Sequence, residues 1–221
     1  MRDFDPSLYF ITDSTNYEEE EFLHRVEQAL LGGATLLQLR EKNKSTREYM
    51  DLADKVHAIT KRYNVPLIID DRVDVALAID AEGVHVGASD MPVDIARRIM
   101  GDNKIVGATA KTVPWATEVY EQGADYLGVG AIFPTTTKVK TVLTSTDTLR
   151  EICDVVPIPV NAIGGLNKGN IDVLQRIPIA GICVVSAIMK ADEPRTAAEE
   201  LKARAVELGL ISCKNKAGER K

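Results

Sequence analysis

Cysteine is scarce in this chain. Cys153, Cys183 and Cys213 make an odd count with no CxxC spacing, and two of them sit in apolar surroundings. A disulfide framework is thereby excluded, and the pattern fits reduced core fillers in a cytoplasmic protein. Long apolar runs are also missing: none approaches the roughly 18 residues that a membrane span needs. Met1-Arg2-Asp3-Phe4-Asp5 has no apolar signal segment, so a soluble, intracellular protein is expected. Excess positive charge is absent too, the net charge being -6, which argues against a general nucleic-acid binder. Histidine offers no metal site. His24 and His57 fall within expected helices and His85 inside an expected strand, none with a Cys or His at ligand spacing. No Ser-His-Asp or Cys-His arrangement is readable, since neither Ser186 nor Cys183 has an evident base. Lys111 is the one lysine placed to form a Schiff base.

What remains is ordinary globular composition, with 45% hydrophobic and 27% charged residues. A length of 221 residues suits one substantial core. The expected layout is one domain over 1–211 and a basic, disordered tail over 212–221. Short apolar runs alternate with amphipathic stretches throughout. The apolar runs are Leu8–Thr12, Thr35–Leu39, Val65–Ile69, Gly83–Val86, Ile105–Ala108, Tyr126–Val129, Pro159–Ile163 and Ile179–Val185. Helical spacing follows each, as in Tyr17–Leu31 and in Ser45–Tyr63, where Ser45 and Glu48 have capping-box spacing. Eight strand-then-helix units demand a parallel sheet. With no strand left over, the α/β class narrows to a single (β/α)8 TIM barrel, shorter than the typical ~250 residues.

Polar residues of unusual type cluster just after these runs, at the strand ends where barrels keep their sites. Gln38-Leu39-Arg40-Glu41-Lys42 delivers an amide, a planar guanidinium fork and an ammonium, a set suited to a phosphate or pyrophosphate. Asp71 and Asp90 end neighbouring strand units, and two carboxylates with water and substrate oxygens suit Mg²⁺, although Asp at such a junction is also a common helix cap. Gly164-Gly165 and Val185-Ser186 follow the last two strands, where barrels commonly hold a phosphate. The loop from Phe133 to Ser145 carries Thr135, Thr136, Thr137, Lys138 and Lys140 and reads as an anion-binding lid. Cations, a metal, two anion sites and no placed base together describe electrostatic catalysis on phosphorylated substrates.

These motifs, with Gly83-Val84-His85-Val86-Gly87 ahead of Asp90, closely resemble the thiamine phosphate synthase family, in order, from about Tyr9 to about Leu201. The resemblance implies a transferase joining a hydroxymethylpyrimidine pyrophosphate to a thiazole phosphate, with release of pyrophosphate. It implies that Gln38, Arg40 and Lys42, with Thr109 and Lys138, hold the pyrimidine pyrophosphate, Asp70 lying beside it. Arg40, Lys42 and Lys138 would carry the catalytic charge. Asp71 and Asp90 would bind Mg²⁺, and Thr135, Thr136, Thr137, Gly165, Val185 and Ser186 the thiazole phosphate. The implied mechanism is dissociative and needs no protein nucleophile.

Three positions depart from the family's pattern: Asp70 for the usual Asn, Thr109 for Ser and Lys111 for a common His. A second carboxylate beside Asp71 is expected to repel pyrophosphate and to raise the Mg²⁺ requirement. Two alternatives stand beside the synthase: a thiazole-phosphate tautomerase of the same fold, and a non-catalytic sensor of a thiamine precursor. Partners are small molecules, with neither nucleic acid nor membrane among them. A homo-oligomer is compatible with the sequence but not legible in it.

Overall fold

In the structure, a computed structural model that describes residues 4–135 and 142–212, eight parallel strands close into a barrel. They are β1 (Leu8–Ile11), β2 (Leu36–Leu39), β3 (Leu67–Asp70), β4 (Gly83–Val86), β5 (Ile105–Ala110), β6 (Tyr126–Gly130), β7 (Val160–Ile163) and β8 (Gly181–Val184). Each pairs with the next, and β1 closes on β8 with Tyr9 opposite Cys183. The helices are α1 (Glu19–Leu31), α2 (Thr46–Tyr63), α3 (Val73–Ala78), α4 (Val93–Met100), α5 (Val113–Glu121), α6 (Thr146–Val155), α7 (Ser186–Met189) and α8 (Pro194–Glu207), with a 3₁₀ turn at Ile171–Leu174.

Alternation along the strands divides the core in two. Leu8, Phe10, Leu37, Leu39, Leu67, Ile69, Val84, Val106, Leu127 and Val129 pack outward against the helices. Tyr9, Ile11, Leu36, Ile68, Ile105, Tyr126 and Cys183 fill the barrel's interior. Burying an outward Leu, Ile or Phe stabilises the fold by about 1.5–3 kcal/mol relative to exposure. The outward layer therefore carries much of the closure energy, which leaves inward positions free to be polar. Gln38, Asp70, His85 and Thr109 occupy such positions near the strands' carboxyl ends.

Local chemistry fixes the helix ends. The Ser45 side chain accepts from Glu48 N, and the Glu48 carboxylate accepts from Ser45 N at 2.8 Å, so the expected capping box forms. Asn64 ends α2 in the left-handed conformation, φ 53°. At the amino end of the barrel, Asn161 Nδ2 donates to Pro6 O at 2.7 Å and the Phe4 ring meets Tyr126 edge-on at 5.6 Å, which plugs that end. Strand bounds shift by one or two residues from expectation, and two differences bear on the site. β5 runs on through Thr109 and Ala110, because the Thr109 hydroxyl finds a buried partner inside the barrel. The short α7 follows β8 directly.

Candidate active site

One cavity of about 130 Å³ opens at the carboxyl ends of the strands. It gathers side chains from far-apart stretches: Gln38 on β2 and Arg40 just after it, Asp70 at the end of β3, Thr109 on β5, Thr135 after β6, Gly165 after β7, and Val185 and Ser186 after β8. Of the expected site residues, Lys42, Asp71 and Asp90 stand on the rim beyond this lining, while Thr136, Thr137 and Lys138 lie outside the described residues.

The rim on the β2–β4 side is an ionic cluster. Lys42 Nζ lies 2.7 Å from Asp70 Oδ2 and also contacts Asp71, and Arg40 Nε is 3.8 Å from the same Asp70 oxygen. Burial works against the Lys42 ammonium, but the two carboxylates outweigh it and push its pKa up. The extra carboxylate is thus no bare repulsive charge: Asp70 is matched by the two cations expected to hold pyrophosphate. Asp71 sits at φ 61°, a conformation that Asp tolerates better than most residues, and its N–H donates to His85 O at 2.8 Å. Asp90 does not cap α4, whose N-cap is Pro92; its Oδ2 accepts from Gly87 N at 2.8 Å and closes its own turn. Burial and then the facing Asp71 carboxyl raise the Asp90 pKa.

Two facing carboxylates are a hard, anionic oxygen pair of the kind Mg²⁺ takes together with waters and substrate phosphates. Among the described residues no group of three or more His, Cys, Asp or Glu could hold a metal. Water and substrate oxygens would complete the shell, so the donor set fits Mg²⁺ and not a metal held by the protein alone.

Across the mouth, the β7–β8 side is built from backbone. Gly164 and Gly165 take φ 103° and 64°, and a Cβ on Gly165 would lie 2.7 Å from Pro134 O. Asn170 Nδ2 holds this turn by donating to Gly165 O at 2.9 Å. Val185 and Ser186 start α7, where the first N–H groups of a helix have no intrahelical partner.

Sequence reasoning missed the cavity floor. Tyr9, His85 and Cys183 line it, and His85, set aside as a residue inside a strand, points inward. Gln38 Nε2 donates to the Tyr9 hydroxyl at 2.8 Å, Tyr9 and Tyr126 hydroxyls meet at 2.7 Å, Tyr126 reaches His85 Nδ1 at 3.0 Å, and His85 Nε2 reaches Thr109 Oγ1 at 3.0 Å. Burial pushes both phenols well above their ordinary range, so they stay protonated. The missed signal was polar tips at alternate strand positions, Tyr9, His85 and Tyr126, on the same inward face as Gln38. Lys111 also lines the cavity but is exposed, past the end of β5, and not inside the barrel as a Schiff-base lysine would need to be.

A closed parallel barrel whose cavity opens at the carboxyl ends of the strands, with a cationic rim facing a glycine turn, defines the class: a TIM barrel with the mouth that barrel enzymes use. The family model for thiamine monophosphate synthase matches residues 8–188, and the chain belongs to that family. It is 52% identical over 186 residues to thiamine-phosphate synthase 2 of Streptococcus pneumoniae, covering 84% of this chain and 89% of that one. Identity to the thiamine-phosphate synthase of Clostridium tetani is 46% over 200 residues, covering 90% and 96%. The solved thiamine phosphate pyrophosphorylase from Pyrococcus furiosus superposes with a TM-score of 0.84 at 42% identity, covering 91% of this chain and 96% of that one. The chain is accordingly a transferase acting on small molecules, and no helix among the described residues is long and apolar enough to cross a membrane.

Proposed function

We propose that this thiamine-phosphate synthase condenses 4-amino-2-methyl-5-(diphosphooxymethyl)pyrimidine with a thiazole phosphate, carboxylated or not, giving thiamine phosphate and pyrophosphate. The observation that carries the reading is the division of one mouth into a cationic, carboxylate-bearing side at Arg40, Lys42, Asp71 and Asp90 and a backbone-built side at Gly165, Val185 and Ser186. Each side matches one substrate's phosphate chemistry.

In this reading Gln38, Arg40, Lys42, Thr109 and Lys138 hold the pyrimidine pyrophosphate. Thr135, Thr136, Thr137, Gly165, Val185 and Ser186 hold the thiazole phosphate. Mg²⁺ held by Asp71 and Asp90 would supply charge against the departing pyrophosphate. The carbon–oxygen bond to pyrophosphate breaks first, with its electron pair leaving on the phosphate oxygen. Electron donation from the aminopyrimidine ring stabilises the methylene cation left behind. The thiazole nitrogen lone pair then forms the new carbon–nitrogen bond. Arg40 and Lys42 act where negative charge builds up, and the two anion sites align the reactants, so no protein nucleophile takes part. A cytoplasmic setting belongs to the same reading and is supported by the free thiols of Cys153 and Cys183.

The test is to supply the purified protein with both substrates, with and without Mg²⁺, and to measure thiamine phosphate and pyrophosphate. Mg²⁺-dependent formation of both in equal amounts is expected. Rearrangement of the thiazole phosphate without pyrophosphate release would identify a tautomerase instead, and saturable binding without turnover a sensor.

A further inference from the structure

The hydrogen-bond chain beneath the cavity has a direction. The Gln38 amide N–H donates to Tyr9, whose buried hydroxyl keeps its own hydrogen bonded only by giving it to Tyr126; the Tyr126 hydrogen then goes to His85 Nδ1. His85 must then carry its proton on Nε2 and donate to Thr109 Oγ1. The Thr109 hydroxyl has accepted one bond and gives its hydrogen to none of the described residues, while lining the cavity. We infer that Tyr126 is a positioning residue: its hydroxyl holds His85 in the Nε2–H form and so makes Thr109 a hydrogen-bond donor toward the ligand.

Tyr126 is 0% exposed and absent from the cavity lining, so it acts on the ligand only through its partners. Its place is reserved by Gly107 on the paired strand, where a Cβ would fall 2.1 Å from Tyr126 Cζ and 2.4 Å from its hydroxyl. A donor at Thr109 selects a ligand atom with a lone pair, such as a pyrimidine ring nitrogen. That last step rests on the function proposed above; the tautomer does not.

The experiment is ¹⁵N NMR of ¹⁵N-histidine-labelled protein without ligand, the His85 signals being assigned from their loss in His85→Asn. Wild type is expected to show a protonated, pyrrole-type Nε2 and a pyridine-type Nδ1. Gln38→Glu replaces the amide donor with an isosteric carboxylate acceptor, which reverses every donor along the chain, so His85 is expected to switch to the Nδ1–H form. Tyr126→Phe should release His85 from a single tautomer and lower kcat/KM for the pyrimidine pyrophosphate about tenfold, leaving KM for the thiazole phosphate unchanged. If that variant does not fold, Tyr9→Phe breaks the chain one link earlier and carries the same expectation. An Nδ1–H tautomer in wild type, or a His85 spectrum indifferent to Gln38→Glu, overturns the inference. A wild type with this tautomer and no synthase activity overturns the function and leaves Tyr126's role standing.

Discussion

Lys42 and Asp70 form an ion pair with Nζ 2.7 Å from Oδ2, on the side of the mouth proposed to take the pyrophosphate. On that proposal Asp70 competes with the substrate for Lys42, and at 3.8 Å for Arg40. Removing its charge should free both cations. Asp70→Asn is expected to bind inorganic pyrophosphate roughly 3–10-fold more tightly, the equivalent of about 1 kcal/mol for a part-exposed pair. It should also need less Mg²⁺ for half-maximal activity. Calorimetric titration at low and moderate ionic strength checks the first, since screening must shrink the difference. Equal or weaker pyrophosphate binding, with an unchanged Mg²⁺ requirement, would falsify the competition.

Asp90 makes folding stability depend on pH. Its folded pKa stands above the unfolded value, because burial and the Asp71 carboxyl disfavour its charge. The folded chain thus keeps a proton that the unfolded chain has lost, and stability falls as pH rises from the unfolded to the folded pKa, staying lower above both. Asp90→Asn removes that penalty while keeping an acceptor for Gly87 N. The Tm of the variant minus that of wild type should grow across the carboxylate range and then level off. Above that range, Mg²⁺ should raise the wild-type Tm and leave the variant's almost unchanged, because the proposed metal site uses both carboxylates. Scanning calorimetry at several pH values, with and without Mg²⁺, decides the matter; an Mg²⁺ shift of equal size in both proteins would remove Asp90 from the metal site.

Gly165 belongs to the backbone-built side of the mouth, the side proposed to hold the thiazole phosphate. Alanine there meets a left-handed φ of 64° and places Cβ 2.7 Å from Pro134 O and 2.8 Å from Phe133 Cβ, so the turn must move. Left-handed backbone alone costs about 1–2 kcal/mol for a residue with a Cβ. Gly165→Ala is expected to raise KM for the thiazole phosphate about tenfold or more, and to change KM for the pyrimidine pyrophosphate by less than about twofold, since the Arg40–Lys42 side is untouched. Two-substrate initial-rate kinetics test this directly. Equal losses for both substrates would mean that Gly165 supports the mouth as a whole.

The strands were legible because each is a short apolar run, and the barrel because there are eight of them. The capping box at Ser45 and Glu48 was legible for the same local reason. Positions at the mouth could be read where a polar residue breaks off an apolar run, as at Arg40 and Ser186 in the lining and Asp71 on the rim. Interior positions could not. Tyr9, His85 and Tyr126 sit within apolar runs, and only the closed geometry shows that their inward face lines or underlies a cavity and does not fill a dry core. The four-residue α7 is too short to show a period. The pairing of Lys42 with Asp70 needs two strand ends brought side by side, and in sequence the two lie 28 positions apart.

Gly107 tests whether the cavity floor is held by shape as well as by hydrogen bonds. It pairs with Tyr126 across β5 and β6, and the ring lies where a Cβ would be, 2.1 Å from Cζ. The crowding is with the ring, so Tyr126→Phe would not relieve it. Overpacking of this kind costs about 1–3 kcal/mol or more, which in a chain of this size lowers Tm by about 2–4 °C per kcal/mol. Gly107→Ala should therefore lose several degrees. Combined with Tyr126→Leu, which clears the space above Gly107, the alanine should cost clearly less than it does alone, a coupling that independent sites do not show. Thermal unfolding of the two single variants and the double variant measures it. Additive losses would mean that the ring rests on something other than Gly107, and that the small residue on β5 serves another purpose.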